Sequence, residues 1–355
     1  MAYKISDNAH IIIENGETIL VAETLKYEDS ITIGSAEAVL APTYITDNLS
    51  FPSYKFQGST SGYSSGGGNQ IEKFPFALDA GSTDVGDLTA SRRGVSGQSS
   101  ETHGYTTGGY GPQSQGTYAF DKFPFASDTN STSVASLAVE VAQQAGQSSE
   151  THGYMSGGMD DDNFSPPLVV GERIDKFPFA SDDTPVLTGT LTVKRRSAAG
   201  ISGPAYGYTA GGGNYLDASP FAAAPGGPID RFPFGADGSA TDVGDLTFAR
   251  YDVSGHSSSY EGFVTGGQPG WQTTRDKFPF ATLANSVDAG DLREQTRAHA
   301  GQSSTTHGTI SGGWQDPPAG FTNEIDAFPF SSNAVSFNIG DLTVASVYDH
   351  SGQQV

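Results

Sequence analysis

The sequence predicts an all-β fold, a six-bladed β-propeller closed by segments from its two ends, and three observations carry that prediction. A Phe-Pro-Phe block recurs six times, at Ile71–Phe76, Phe120–Phe125, Ile174–Phe179, Ile229–Phe234, Arg275–Phe280 and Ile325–Phe330. A polar-aromatic run closed by two glycines also recurs six times, at Gly66-Gly67, Gly108-Gly109, Gly157-Gly158, Gly211-Gly212, Gly266-Gly267 and Gly312-Gly313. The first glycine pair has no Phe-Pro-Phe block before it, and the last Phe-Pro-Phe block has no glycine pair after it. The two incomplete ends therefore add to one unit.

The blocks begin their motif at Phe74, Phe123, Phe177, Phe232, Phe278 and Phe328, a period of 46 to 55 residues. That length holds four short strands, the size of a propeller blade. An open stack would leave two raw strand edges, and sharing one blade between the ends removes them. The final Tyr348-Asp349-His350-Ser351-Gly352-Gln353 echoes Tyr251-Asp252-Val253-Ser254-Gly255-His256, which precedes a glycine pair. The C-terminus is thus expected to run into the blade that the N-terminal fragment completes.

Within each unit a first strand is expected at Gly-Gln-Ser-Ser, as in Gly97–Ser100, and a second at His103–Thr107, ending at the glycine pair. The third carries Phe-Pro-Phe. The fourth is expected after Asp-Leu, as in Gly86-Asp87-Leu88, Gly244-Asp245-Leu246, Gly290-Asp291-Leu292 and Gly340-Asp341-Leu342. The two Phe of a block are two residues apart and so share one sheet face. Phe74 and Phe76, Phe123 and Phe125, Phe177 and Phe179, Phe232 and Phe234, Phe278 and Phe280, and Phe328 and Phe330 are expected to pack between neighbouring blades. Burying one Phe is worth roughly 1.5–3 kcal/mol. The Pro between them removes a ladder donor. It predicts a bulge there, or a fourth strand too short to need that donor.

Composition agrees. Apolar residues make up 35% of the 355, with 46 Gly, 21 Phe and 15 Tyr, which suits many short strands, Gly-rich turns and an aromatic core. The formal charge of -22 repels nucleic acid and anionic membranes, and no basic stripe overrides it. The absence of cysteine removes disulfides, thiolate metal sites and cysteine nucleophiles. The apolar run Ile11, Ile12, Ile13 is too short for a signal peptide's core, and no stretch reaches the length of a membrane span.

An aromatic strand ending in Gly-Gly, a later strand, then a Leu-containing element with Arg resembles the kelch repeat. Tyr105–Gly109, Asp121–Phe125 and Gly244–Arg250 stand in those places, with Leu where kelch has a Trp. The wording of the repeat, as in Ile174–Asp182 and Gly146–Tyr154, resembles repeats in structural and tail-associated proteins of tailed marine phages. That resemblance implies a virion location, as a tail fibre or capsid decoration, and partners among other virion proteins or a host surface glycan or receptor.

Residues 1–50 do not fit the repeat. Ile11–Glu14 and Thr18–Val21 flank Asn15-Gly16, a two-residue hairpin signal. A further strand is expected at Ser30–Ile33, with Ala36–Leu40 ambiguous. An isolated hairpin is barely stable, so this segment is expected to dock on a larger assembly or fold onto its own propeller, residues 51–355.

Candidate sites divide unevenly. His103, His152 and His307 share one repeat position, but Ser61, Tyr206 and Glu261 hold it elsewhere, so no metal ring forms. Asp79, Asp128, Asp182 and Asp237, and Asp87, Asp245, Asp291 and Asp341, suit Asx turns as well as calcium. Asp160, Asp161 and Asp162 are the best single cation candidates, although adjacent acids in a loop are usually solvated. No cofactor is expected. Galactose-oxidase-type chemistry needs a cysteine-linked tyrosine, and no convincing nucleophile elbow is present, so the expectation is a non-enzyme. The loops after the glycine pairs vary most between units and carry Tyr110, Phe164, Tyr215, Phe221, Trp271, Trp314 and Phe321. Variable loops on a rigid scaffold are where binding usually resides. The same aromatics would serve equally as caps on the blades.

Overall fold

The computed structural model describes residues 57–355 except 78–79, 113–115, 161–168, 215–221, 224–226, 271 and 345–348; of residues 160, 169, 170, 214, 222 and 223 it describes the backbone. Of residues 1–56 it describes the backbone of six short strands. The chain divides into two compact units, Met1–Tyr54 and Lys55–Val355. In the first, His10–Glu14 pairs antiparallel with Glu17–Val21, Ile31–Ile33 with Ala36–Ala38, and Ala2–Ile5 with Leu25–Glu28. The Glu14↔Glu17 register leaves two residues between the first pair. Asn15 and Gly16 themselves lie outside the described residues.

The second unit is all-β and consists of repeated four-stranded antiparallel sheets, an arrangement consistent with a β-propeller-like fold. The second sheet, in chain order, contains Ser96–Ser99, His103–Thr107, Thr117–Pro124 and Thr132–Ala142. The third begins at Ala145–Ser148, the fourth at Ala199–Ser202, the fifth at Ser254–Ser257 and the sixth at Ala300–Ser303. The first sheet takes Ser61–Ser65, Gly68–Pro75 and Thr83–Arg92 from the start of the unit and Ser351–Gln354 from its end. Ser351 pairs with Ser65 and Gln354 with Gly62, so the two ends share one sheet.

In the first sheet the fourth strand, Thr83–Arg92, runs through Asp87-Leu88, but in the third to sixth sheets it ends just before the Leu and does not follow it. It runs Val186–Thr190, Thr241–Asp245, Val287–Asp291 and Phe337–Asp341 in the third to sixth sheets. The Leu that follows is buried (Leu191, Leu246, Leu292, Leu342) and turns the chain into the seam between sheets. The bulge also falls elsewhere than at the Pro. Register shifts occur between Ile71/Glu72, Phe120/Asp121, Ile174/Asp175, Ile229/Asp230 and Ile325/Asp326. Pairing with the fourth strand stops at Lys122↔Thr132, two residues before Pro124, whereas pairing with the second continues to His103↔Pro124. The missing donor therefore faces a ladder that has already ended. The next residue resumes bonding to the second strand, as Phe125 N–H donates to the Thr102 carbonyl at 2.9 Å.

The Phe pairs fill the seams. Within each pair the rings meet edge-on at 5.7–6.1 Å. The first Phe of every pair is buried; Phe125 is buried as well, and Phe76, Phe179, Phe234, Phe280 and Phe330 are half-buried. Each pair leans on the preceding sheet: Phe123 and Phe125 on Tyr63, Phe177 and Phe179 on Tyr105, Phe232 and Phe234 on Tyr154, Phe278 and Phe280 on Tyr208, Phe328 and Phe330 on Phe263. Directly across the ladder from each first Phe stands a glycine, as in Gly104↔Phe123. A Cβ at Gly62, Gly104, Gly153, Gly207, Gly262 or Gly308 would come closer than 3.0 Å to that ring. The ring lies where a side chain would otherwise stand.

The acid two residues before Phe-Pro-Phe ties the same seams. Asp121, Asp230 and Asp276 are fully buried and accept from the N–H and hydroxyl of Thr89, Thr192 and Thr247 in the preceding sheet. An arginine of that sheet pairs with each: Arg92–Asp121 at 2.9 Å, Arg195–Asp230, and Arg250–Asp276 at 3.1 Å.

Candidate functional site at the ring mouth

The residue two before each first strand is Gly94, Gln143, Ser197, Asp252, Ala298 or Asp349, and all six adopt φ between 51° and 66°. Left-handed backbone is uncommon for non-glycine residues, and here it serves one purpose. Each N–H donates to the carbonyl of the previous member, Gln143 to Gly94, Ser197 to Gln143, Asp252 to Ser197, Ala298 to Asp252, Asp349 to Ala298 and Gly94 to Asp349, at 2.6–3.0 Å. The circuit returns to its start.

Two further layers follow. Gly97, Gly146, Gly200, Gly255, Gly301 and Gly352 lie so close that a Cβ on any of them would fall closer than 3.0 Å to the carbonyl oxygen of the preceding one. Beyond them a second circuit runs through side chains: Ser99 N–H to Ser148 Oγ, Ser148 to Ser202, Ser202 to Ser257, Ser257 to Ser303, Ser303 to Gln354 Oε1, and Gln354 to Ser99 Oγ.

The left-handed ring surrounds a cavity of about 120 Å³, whose lining includes Gln143, Asp252, Asp349, His299 and His350. That volume is room for several waters. In alternate sheets the residue just before the ring is an arginine that reaches back to the previous ring member or its surroundings. Arg196 donates to Gln143 Oε1, and Arg297 pairs with Asp252 at 3.1 Å. Gln143 Nε2 donates in turn to Asp349 Oδ2 at 3.3 Å. Burial, reinforced by the charge of Asp252, pushes the Asp349 carboxyl up to about 7, against the hydrogen bond from Gln143 and the charges of Arg93 and Arg196.

The variable loops rise from this same edge. Each begins by bridging to the residue before the ring: Tyr110 to Arg93, Met159 to Ala142, Gly213 to Arg196, Gln268 to Tyr251 and Trp314 to Arg297. In the first sheet Gly66-Gly67 leads straight into Gly68–Pro75, so no loop stands there. Tyr110 is buried among Ala142 and Met159 and caps a seam. Trp314 is half-buried, edge-on to Phe321 at 4.6 Å, with the Arg297 guanidinium 5.9 Å from its ring. Phe321 is 45% exposed. Phe164, Tyr215, Phe221 and Trp271 lie outside the described residues, as do Asp161, Asp162 and the side chain of Asp160.

The other candidates lie away from the mouth. His103, His152 and His307 are half-buried at the opposite end of the second strand, each Nδ1 2.8 Å from the hydroxyl of the preceding Thr. Asp128, Asp182 and Asp237 pair with Lys73, Lys122 and Lys176 of the preceding sheet. Asp87, Asp245, Asp291 and Asp341 serve the seams through their carbonyls, which accept from Ser131, Ser286, Ser336 and Ser82. Asp79 is outside the described residues. Among the described residues no group of three His, Cys, Asp or Glu is placed to hold a metal ion. The ring residues were not singled out by sequence reasoning. Their signal was the repeated step into Ser-Gly or Ala-Gly, visible only once the first strands are aligned. No protein-family model matches the chain, and no curated protein matches it.

Proposed function

We propose that residues 51–355 form a closed six-bladed, kelch-like propeller, and that the chain is a non-enzymatic virion component that presents the loop-bearing face around the ring mouth to a host or particle partner. The six-bladed reading rests on the hydrogen-bond circuit that runs through six sheets and returns to its start. The binding reading is carried by one observation: five loops of unlike length and sequence rise from the edge that surrounds the mouth. Such placement on a rigid scaffold favours recognition. The virion assignment, on a tail, fibre or capsid, rests on the wording of the repeat, and residues 1–50 are proposed as the docking segment. Mass spectrometry of gradient-banded particles tests it. Peptides of this chain should track with capsid and tail proteins; peptides confined to the soluble fraction would sink the virion reading and leave a free binding propeller.

Trp314, Phe321 and Arg297 favour a second reading, a lectin whose aromatic loop stacks on a sugar. A glycan array probed with and without calcium should then give hits that Trp314→Ala removes, and a blank array would count against it.

A further inference from the structure

Three buried histidines are gathered in two neighbouring seams. In the first strands Gln98, Gln147, Gln302 and Gln353 stand at equivalent positions and donate to a carbonyl of the next sheet, Tyr154, Tyr208, Tyr63 and Tyr105 respectively, at 3.0–3.2 Å. The fifth sheet has His256 there. Its Nδ1 lies 3.0 Å from the Gln302 carbonyl in the sixth sheet, and its Nε2 lies 2.9 Å from Thr265 Oγ1. Thr265 Oγ1 is also 2.9 Å from His299 Nε2. Just before the first strand Val95, Gln144, Ala198 and Val253 are followed in order by His299 and His350. His350 Nε2 lies 2.7 Å from the Ser311 carbonyl, linking the closing segment to the sixth sheet. All three rings are buried.

The hydrogen bonds set the tautomers. A carbonyl requires a proton on His256 Nδ1, which leaves Nε2 to accept from the Thr265 hydroxyl, while His299 Nε2–H donates to the same oxygen. This network fits two neutral rings. Two imidazolium ions would share one hydroxyl without solvent.

We infer that the seams joining the fifth, sixth and first sheets act as a proton-sensitive latch that loosens on acidification. The charges that act on His256 and His299 work in this direction. Arg275, whose guanidinium lies 4.5 Å from the Phe328 ring that His256 meets edge-on at 5.0 Å, is cationic, and the other groups acting on His299 are His256 and His350. Burial pushes His256 down to about 4 and His299 well below its usual range. Because the neutral form is favoured in the folded state, the stabilisation is complete above about 6.5 and is lost as pH falls from there toward about 4. Asp349, next to His350 and beside Asp252, has the opposite sign: its raised value favours the protonated form, so it weakens the fold as pH rises toward about 7.

The test is hydrogen exchange of the full chain at pH 7.5 and 4.5, corrected for intrinsic rates. Residues 254–257, 300–303 and 351–354 should lose protection on the order of tenfold per pH unit below about 6.5, while 96–99 and 145–148 keep theirs. The double variant His256→Gln, His299→Val borrows residues from equivalent positions of the same chain and should abolish the difference. A uniform loss over all first strands, or a difference that survives in the double variant, would overturn the latch. Asp349→Asn should enlarge the loss, since the carboxyl opposes it, and a loss abolished by that change alone would also overturn the latch.

Discussion

The seam between the first and second sheets and the seam between the sixth and first join equivalent surfaces by different means. In the former, Tyr63 lies against Phe123 and Phe125, and Arg92 and Thr89 hold Asp121. In the latter, Thr309 takes the tyrosine's position, and Phe74 packs with Ile325, Ala327, Ile339 and Leu342. Glu72 replaces the aspartate and is held by Thr343 and by Ser82 at 2.5 Å, and the position of Arg92 falls on Ser346. Among the described residues the closing seam thus lacks the aromatic triplet and the buried ion pair. The ladder that joins the two ends, Ser351–Gln354 on Ser61–Ser65, lies inside the first sheet, and the chain crosses both seams alike, from a fourth strand to the first strand of the next sheet. With chain continuity the same, the two seams differ in their side chains alone, aromatic and ionic in one, aliphatic and hydroxyl-bonded in the other.

The largest effect should come from breaking the ion pair. Asp121→Ala would leave Arg92, 2% exposed, without its carboxylate and cost about 3–5 kcal/mol in denaturant unfolding. Glu72→Gln in the closing seam should cost only about 1 kcal/mol, since no described arginine loses a partner. Equal losses at the two sites would break the comparison. Tyr63→Thr, which gives the first seam the residue of the closing one, should cost about 3 kcal/mol, measured the same way. Gly104→Ala forces a Cβ onto the Phe123 ring and should cost about 1–3 kcal/mol, with a shift in near-ultraviolet circular dichroism as the ring moves. The smallest effect belongs to Lys122→Ala, which removes the surface pair with Asp182 at 3.0 Å; a loss above about 1 kcal/mol would mean that this surface pair does more than exposed pairs usually do.

Much of the fold was legible because the repeat writes its backbone needs in glycine. Both members of every glycine pair have positive φ, between 58° and 103°, where other residues are strained. The Phe spacing gave the shared face, and the unequal ends gave the shared sheet. The fourth strand was misplaced because Thr-Asp-Val-Gly-Asp carries little apolar alternation, and the buried Leu after it reads as a strand centre when it is a seam plug. The mouth was less legible. Arg297 and Asp252 lie far apart in sequence, and nothing local to either announces the other. Tyr110 and Trp314 occupy the same loop position, yet one is buried beside Met159 and the other half-exposed beside Phe321, a difference set by the loop that follows.

The sequence by itself determined the repeat, its period, the all-β class and the sharing of one sheet between the two ends, because hydrophobic spacing and glycine placement act within a few residues. Only the tertiary structure decided which acid meets which arginine, that six left-handed residues bond into one circuit, and that three histidines become neighbours. Those pairings join residues from different repeats, and the close approach of neighbouring sheets, with the seam side chains buried, is what makes them energetically significant.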